Sequence, residues 1–123
     1  MKMKAIEIIS KVDELDPNQF GVERKLSWLA ELDGQIFAEL GEAYEPCWEQ
    51  PGIYQTGEEE LLVEFPYSDG VYRHFLQAMM AAENFEIGKY NQHMALFDSA
   101  YGQYRDCIMR TKMHTGAGKE FRF

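Results

Sequence analysis

One run of apolar residues constrains this chain more than any other feature. Between Ile87 and Ile108, apolar and aromatic side chains recur at spacings of three and four residues without a miss. The run comprises Ile87, Tyr90, Met94, Phe97, Tyr101, Tyr104 and Ile108. This spacing places an apolar seam on one face of an α-helix, and such a seam needs a partner helix to be buried. Leu96, Ala100 and Cys107 lie beside the seam and widen it, so the pattern favours a small bundle over a two-stranded coiled coil.

Three further helices are predicted upstream of this seam. Apolar residues recur at helical spacing over residues 5–15 and again over residues 22–40, with Gly41 as a plausible stop. Another helix is predicted to begin at Ser68 or Asp69, since either side chain can cap it. We expect the seam to pack against the second helix as the centre of the bundle. The expected contact residues are Leu26, Leu29, Leu32, Ile36 and Leu40.

The helical period disappears between the second and third helices, over residues 42–60. Prolines and glycines accumulate in this stretch, and Leu61–Val63 is a candidate for a short extended piece. A loop of this length in a compact domain is typically functional, so residues 42–60 are a candidate contact region. We therefore predict an all-α fold, a small helical bundle of about four helices with one long acidic loop. The predicted domain spans residues 1–111.

The charge distribution limits the partners of this domain. The 123-residue chain has a formal charge of −9 and carries no Lys or Arg from Leu26 to Tyr72, while eleven carboxylates fall in that stretch. A surface built from it repels phosphate, which argues against nucleic-acid or anionic-membrane binding there. The run Glu58, Glu59 and Glu60 is expected to be solvated. No apolar run is long enough for a membrane span or a secretion signal, and we expect a cytoplasmic protein.

The C-terminal residues have the opposite charge. Residues 111–123 carry a formal charge of +2, and residues 1–110 carry −11. The segment 112–123 is predicted to be a flexible tail because it contains glycines alongside basic and aromatic residues. Its candidate partner-docking residues are Lys119, Phe121, Arg122 and Phe123. Aromatic rings of this kind anchor in apolar pockets, and the cations select an acidic partner.

Nothing in the sequence indicates catalysis, a metal or a cofactor. His74, His93 and His114 lack the i, i+4 spacing or the Cys/His clustering that would bring zinc ligands onto one helix face. Cys47 and Cys107 are far apart in sequence and are expected to be free thiols. We therefore expect a protein that is not an enzyme.

Several stretches, read together, resemble a known kind of phage protein. They are Lys25–Ile36, Leu61–Tyr67, Tyr90–Asn91 and Phe97–Tyr101. They resemble small proteins encoded in the head-morphogenesis block of tailed phages and prophages of Gram-positive bacteria. That group is similar in size and helical layout to the head–tail connector, or adaptor, proteins, which assemble as rings beneath the portal. The similarity extends from about residue 6 to residue 110.

The resemblance implies an all-α structural protein of the virion neck that passes through the host cytoplasm during assembly. It implies a homo-oligomeric ring that extends the DNA channel, with the portal protein above and a neck or tail-completion protein below. On this reading Glu58, Glu59 and Glu60 face the channel, because negative walls let DNA slide without sticking. The tail then docks on a neighbouring neck protein, for which the portal is the favoured candidate. The alternative is an acidic DNA mimic or inhibitor that occupies the basic groove of a host nucleic-acid enzyme.

Overall fold

The computed structural model describes residues 2–41 and 48–115, with the side chains of the last helix described up to Thr111. The molecule is mostly helical, as predicted, and also contains a small two-stranded sheet. Its elements in chain order are β1 (Lys2–Lys4), α1 (Ala5–Leu15), α2 (Val22–Ile36), a π-helical turn (Phe37–Gly41), β2 (Glu60–Glu64), α3 (Ser68–Glu83) and α4 (Ile87–Thr115).

The sheet corrects the prediction of a purely all-α fold. β1 pairs with β2 in antiparallel orientation, with Lys2 opposite Glu64 and Lys4 opposite Glu60. The extended piece predicted at Leu61–Val63 is confirmed, and its three side chains are buried. β1 was not predicted, because three residues carry no detectable alternation and only pairing with β2 gives them strand geometry.

The predicted cap of α3 is wrong. The capping position is occupied by Tyr67, and no side chain in the described parts of the chain caps the helix. The Ser68 hydroxyl instead donates a hydrogen bond to the Met3 sulfur at 3.1 Å, which ties the start of α3 to β1. Asp69 forms ion pairs with Lys11 of α1 at 2.6 Å and Arg73 of α3 at 3.2 Å. Both candidate caps therefore serve contacts between elements.

The core lies between α1, α2, β2 and α3. Each of these elements contributes side chains that are almost fully buried. Representative members are Ile8, Ile9, Val12, Leu26, Leu29, Ile36, Leu61, Val63, Tyr72 and Leu76. Gly41 ends the π-helical turn after α2, and a Cβ there would lie 2.6 Å from the Phe37 ring. A side chain at position 41 would therefore displace that ring.

The seam of α4 has a different partner from the one predicted. It packs mainly along α3, where the Phe75 and Phe97 ring centroids are 5.5 Å apart and a Cβ on Gly70 would lie 3.1 Å from the Ala100 Cβ. Of the seven seam residues only Phe97 and Tyr104 are buried, and Ile87 is 73% exposed. The seam therefore covers one side of the body and does not form the centre of the bundle.

Candidate functional site

Some of the predicted site residues fall outside the described structure. These are the tail residues Lys119, Phe121, Arg122 and Phe123, together with residues 42–47 at the start of the acidic loop. The three glutamates of the loop are described, and they have three different environments.

Glu59 holds the loop in shape. Its carboxylate accepts hydrogen bonds from the backbone N–H groups of Gln55 (2.8 Å), Thr56 (3.1 Å) and Gly57 (2.8 Å). The backbone donors at Gln55, Thr56 and Gly57 favour the charged form, and they lower the pKa of the Glu59 carboxyl to about 2. Gly57 adopts a φ of 87°, in the region that favours glycine. The Glu59 carboxylate is therefore partly exposed, as expected of a solvated group, and is also bound to the backbone of its own loop.

Glu58 and Glu60 are exposed at the edge of the two-stranded sheet. Lys4 of β1 forms an ion pair with Glu58 at 2.9 Å and lies opposite Glu60 in the strand register. Lys2 lies opposite Glu64. Three exposed carboxylates therefore face two ammonium groups, which leaves this edge with a net charge of −1. The stretch from Leu26 to Tyr72 contains no Lys or Arg, yet the negative field at this edge is partly cancelled. The cancelling cations are Lys2 and Lys4, which β1 brings alongside β2.

A buried carboxylate is the most unusual group in the described structure. Asp33 of α2 is fully buried and accepts hydrogen bonds from the hydroxyls of Tyr54 and Tyr72, each at 2.6 Å. It also accepts the backbone N–H of Leu62 at 3.2 Å. The Tyr72 hydroxyl in turn accepts the N–H of Val63 at 2.8 Å. One carboxylate thus joins α2, the loop, β2 and α3.

Burial governs the ionisation of this network. Desolvation raises the pKa of Asp33, and the three hydrogen bonds that it accepts only partly offset that effect. Burial and the adjacent carboxylate also raise the pKa of Tyr54 and Tyr72, so both phenols stay protonated as donors. Each of the two hydroxyl protons is donated to Asp33. The network is therefore a structural anchor whose acceptor oxygens are already occupied.

The network also fixes the wall of a cleft. The loop residues Gly52–Gln55 run alongside the first half of α2 and leave a cleft of about 520 Å³ between them, a volume typical of binding sites. Its lining is mainly apolar. The lining residues are Glu23, Leu26, Ser27, Ala30, Glu31, Gly52, Ile53, Tyr54 and Gln55. The Tyr54 hydroxyl donates a hydrogen bond to Asp33, which holds the Tyr54 side chain in place. This wall of the cleft is therefore preformed.

Neither the role of Asp33 nor the cleft was predicted from the sequence. A signal for Asp33 was available, since it follows Leu29 by four residues and precedes Ile36 by three, which places a carboxylate within the apolar stripe of α2. A carboxylate at such a position must find donors from other elements. The cleft carried no comparable signal, because one of its walls is an irregular loop.

Two histidines meet between α3 and α4. The Nδ1 atoms of His74 and His93 lie 3.2 Å apart. Burial lowers the pKa of both imidazoles, and the nearby cations Arg73 and Lys89 lower it further. The described residues contain no group of three or more His, Cys, Asp or Glu side chains placed to hold a metal ion. The pair therefore serves as a neutral contact between two helices.

None of the described helices combines the length and apolar character that a membrane crossing requires. Comparison with known proteins matched this chain to no family model, no curated protein and no solved structure.

Proposed function

We propose that this chain is a structural subunit of the neck of a tailed phage, a head–tail connector. Copies of the chain form a ring below the portal protein and extend the channel through which DNA leaves the head. The portal and a downstream neck or tail-completion protein are its partners in the virion neck. The subunit is made and assembled in the host cytoplasm.

The observation that carries this proposal is the way the resembling stretches meet in the fold. Asp33 lies in the stretch Lys25–Ile36 and accepts the N–H of Leu62, which lies in the stretch Leu61–Tyr67. The stretch Phe97–Tyr101 contacts the π-helical turn that follows this helix, where the Tyr101 hydroxyl donates to Glu39. Two of the resembling stretches are therefore joined by a hydrogen bond, and a third is joined to the turn beside the first. This arrangement supports reading them as parts of one pattern.

The acidic edge suits a channel wall better than a DNA mimic. A mimic needs carboxylates that are spaced like phosphates and free to meet cations. Here Glu59 is bound to its own loop and Glu58 is paired with Lys4, so two of the three carboxylates are engaged within the subunit. A channel wall needs only a net negative surface that offers phosphate no cluster of cations.

The direct test is a nonsense mutation of this gene in an inducible phage that carries it. We expect heads filled with DNA and free tails, and few joined particles, by negative-stain electron microscopy. Complementation with the wild-type chain should restore joined particles. A normal yield of infectious particles without this protein would refute the proposal.

A second experiment tests the channel-facing edge. Glu58→Lys and Glu60→Lys together should leave the fold intact and slow DNA ejection, because each new cation attracts phosphate. Glu59 is left unchanged because its hydrogen bonds shape the loop. The matched control is Glu14→Lys with Asp98→Lys, which changes the net charge equally at exposed positions on α1 and α4. Equal ejection rates for the two variants would contradict the assignment of this edge to the channel.

A further inference from the structure

Two carboxylates without a described partner lie at the rim of the cleft between α2 and residues 52–55. Glu23 and Glu31 line it, and neither carboxylate makes an ion pair or hydrogen bond within the described parts of the chain. The side chain of Ile53, also in the lining, is 79% exposed. An apolar cleft with two free carboxylates fits a segment that presents apolar groups together with cations.

We propose that this cleft receives residues Lys119–Phe123 of a neighbouring copy of the same chain. The proposal supplies the contact between ring subunits and to that extent rests on the function proposed above. The portal was the partner favoured from the sequence for this segment, and the cleft provides a binding site for it on the chain itself.

The chemistry of the segment matches the cleft in spacing as well as in sign. Glu23 and Glu31 are eight residues apart on α2, or about 12 Å along the helix. Lys119 and Arg122 are three residues apart, or about 10 Å in an extended chain. In such a chain Lys119, Phe121 and Phe123 fall on one side and Arg122 on the other. Two phenyl groups can therefore enter the apolar cleft with Lys119 directed at one rim carboxylate, while the long Arg122 side chain reaches the other carboxylate from the outer side of the segment.

The direction of the helices makes the contact intermolecular. α2 and α4 run the same way, because Arg24 in the first turn of α2 pairs at 3.2 Å with Glu83, the last residue of α3, and Lys89 near the start of α4 pairs at 3.0 Å with Asp16 in the connection between α1 and α2. Near their far ends, Arg105 of α4 lies 3.8 Å from Glu39 of the turn that follows α2. α4 therefore carries the C-terminal segment away from the cleft of its own subunit.

Distances along the helices give the same result. Thr115 lies ten residues beyond Arg105, or about 15 Å past the Glu39 contact. Glu31, the cleft carboxylate nearest the end of α2, lies eight residues before Glu39, or about 12 Å in the other direction. Glu31 is thus about 27 Å behind Thr115. Lys119 can be no more than about 14 Å, and Arg122 no more than about 25 Å, from Thr115 even in a fully extended chain, so the segment cannot place both cations at the cleft of its own subunit. A contact that joins one end of a subunit to a different surface on the next is head-to-tail, the kind that closes into rings.

The test uses the full-length chain and sedimentation velocity over a range of concentrations. We expect the wild-type chain to self-associate. The cleft variant, Glu23→Lys with Glu31→Lys, and the tail variant, Lys119→Glu with Arg122→Glu, should each associate at least about tenfold more weakly, because each places like charges together. Mixing the two variants should restore association, since the reversed cleft of one chain then matches the reversed tail of the other.

The control variant carries Glu14→Lys and Asp98→Lys, which change the net charge as the cleft variant does. It should associate like the wild type. A wild-type chain that stays monomeric, a cleft variant that associates normally, or a mixture that fails to associate would each overturn the proposal. These measurements use purified protein, so they can fail while the nonsense mutant still shows a neck defect. The contact would then be wrong while the neck function stands.

Discussion

The buried carboxylate of Asp33 provides the sharpest test of this structure. Replacing it with alanine removes the acceptor for the hydroxyls of Tyr54 and Tyr72 and for the N–H of Leu62. Tyr54, Tyr72 and Leu62 are all buried. Three buried donors therefore lose their partner, at about 1 to 3 kcal/mol each. Relief of the desolvated charge offsets part of this, and we expect Asp33→Ala to cost about 3 to 5 kcal/mol.

Asp33→Asn is the matched control, because it keeps the shape of the side chain and two of its three hydrogen bonds. The amide oxygen can take the place of Oδ2, which accepts from both Tyr54 and Leu62. The amide nitrogen then faces the Tyr72 hydroxyl in place of Oδ1, so the proton of that hydroxyl loses its acceptor. One buried donor is left without a partner, and we expect this variant to cost about 1 to 2 kcal/mol.

The wild type and Asp33→Asn should also differ in how their stability depends on pH. The pKa of Asp33 is raised in the folded state, so the native protein binds a proton more readily there than the unfolded chain does. The stability of the wild type at this site therefore falls as pH rises from the unfolded pKa through the raised folded value. Asparagine has no such dependence, so the cost of Asp33→Asn should shrink over the same interval.

Urea unfolding followed by tryptophan fluorescence measures all three chains at pH 4 to 7. Equal losses for Asp33→Ala and Asp33→Asn would refute the argument, because the amide preserves two hydrogen bonds that alanine removes. A loss below about 1 kcal/mol for alanine would also refute it, since three buried donors would then cost almost nothing.

Three other predictions test the packing and the titrating groups. Phe97→Ala should cost about 3 kcal/mol in urea unfolding by leaving a cavity against α3, whereas Gln103→Ala on the exposed face of α4 should change stability by less than about 0.5 kcal/mol; similar losses would contradict the observed orientation of α4. Glu59→Ala should lower Tm at pH 7. Because the folded pKa of this group is about 2 and its ordinary value is 4.5, the deficit in Tm should shrink as pH falls below 4.5, and a constant deficit would exclude its charge as the cause. The pKa values of His74 and His93 are lowered in the folded state, so the unfolded chain takes up protons first as pH falls. The contribution of the pair to stability is therefore complete above about pH 6.5 and is lost below it. His93→Gln should accordingly lose less stability between pH 7 and 5 than the wild type does. An unchanged slope would show that the pair does not titrate as described.

The helical part of this fold was predictable from the sequence because a helix closes its hydrogen bonds locally. The spacing over residues 5–15 predicted the limits of α1, and the spacing around residues 22–40 predicted α2. The strand at Leu61–Val63 was also predicted, since a short apolar run between polar turns is a local signal. The charge contrast between residues 1–110 and residues 111–123 is likewise a property of composition alone.

Choices between distant partners required the tertiary structure. A seam specifies that a helix has an apolar face, but many apolar faces are nearly equivalent as partners. The seam of α4 therefore packs along α3, where Gly70 allows close approach to Ala100, and not along the leucines of α2. β1 exists only because β2 pairs with it, and Lys4 reaches Glu58 only through that pairing.

The cleft and the Asp33 network beside it also depend on contacts between residues that are distant in the sequence. The sequence placed Asp33 within an apolar stripe but did not show which groups would satisfy it. Tyr54, Leu62 and Tyr72 lie 21 to 39 residues further along the chain, and only folding brings their donors to one carboxylate. Side-chain chemistry and local periodicity are properties of the sequence, whereas a site built from distant residues exists only once the core has packed around it.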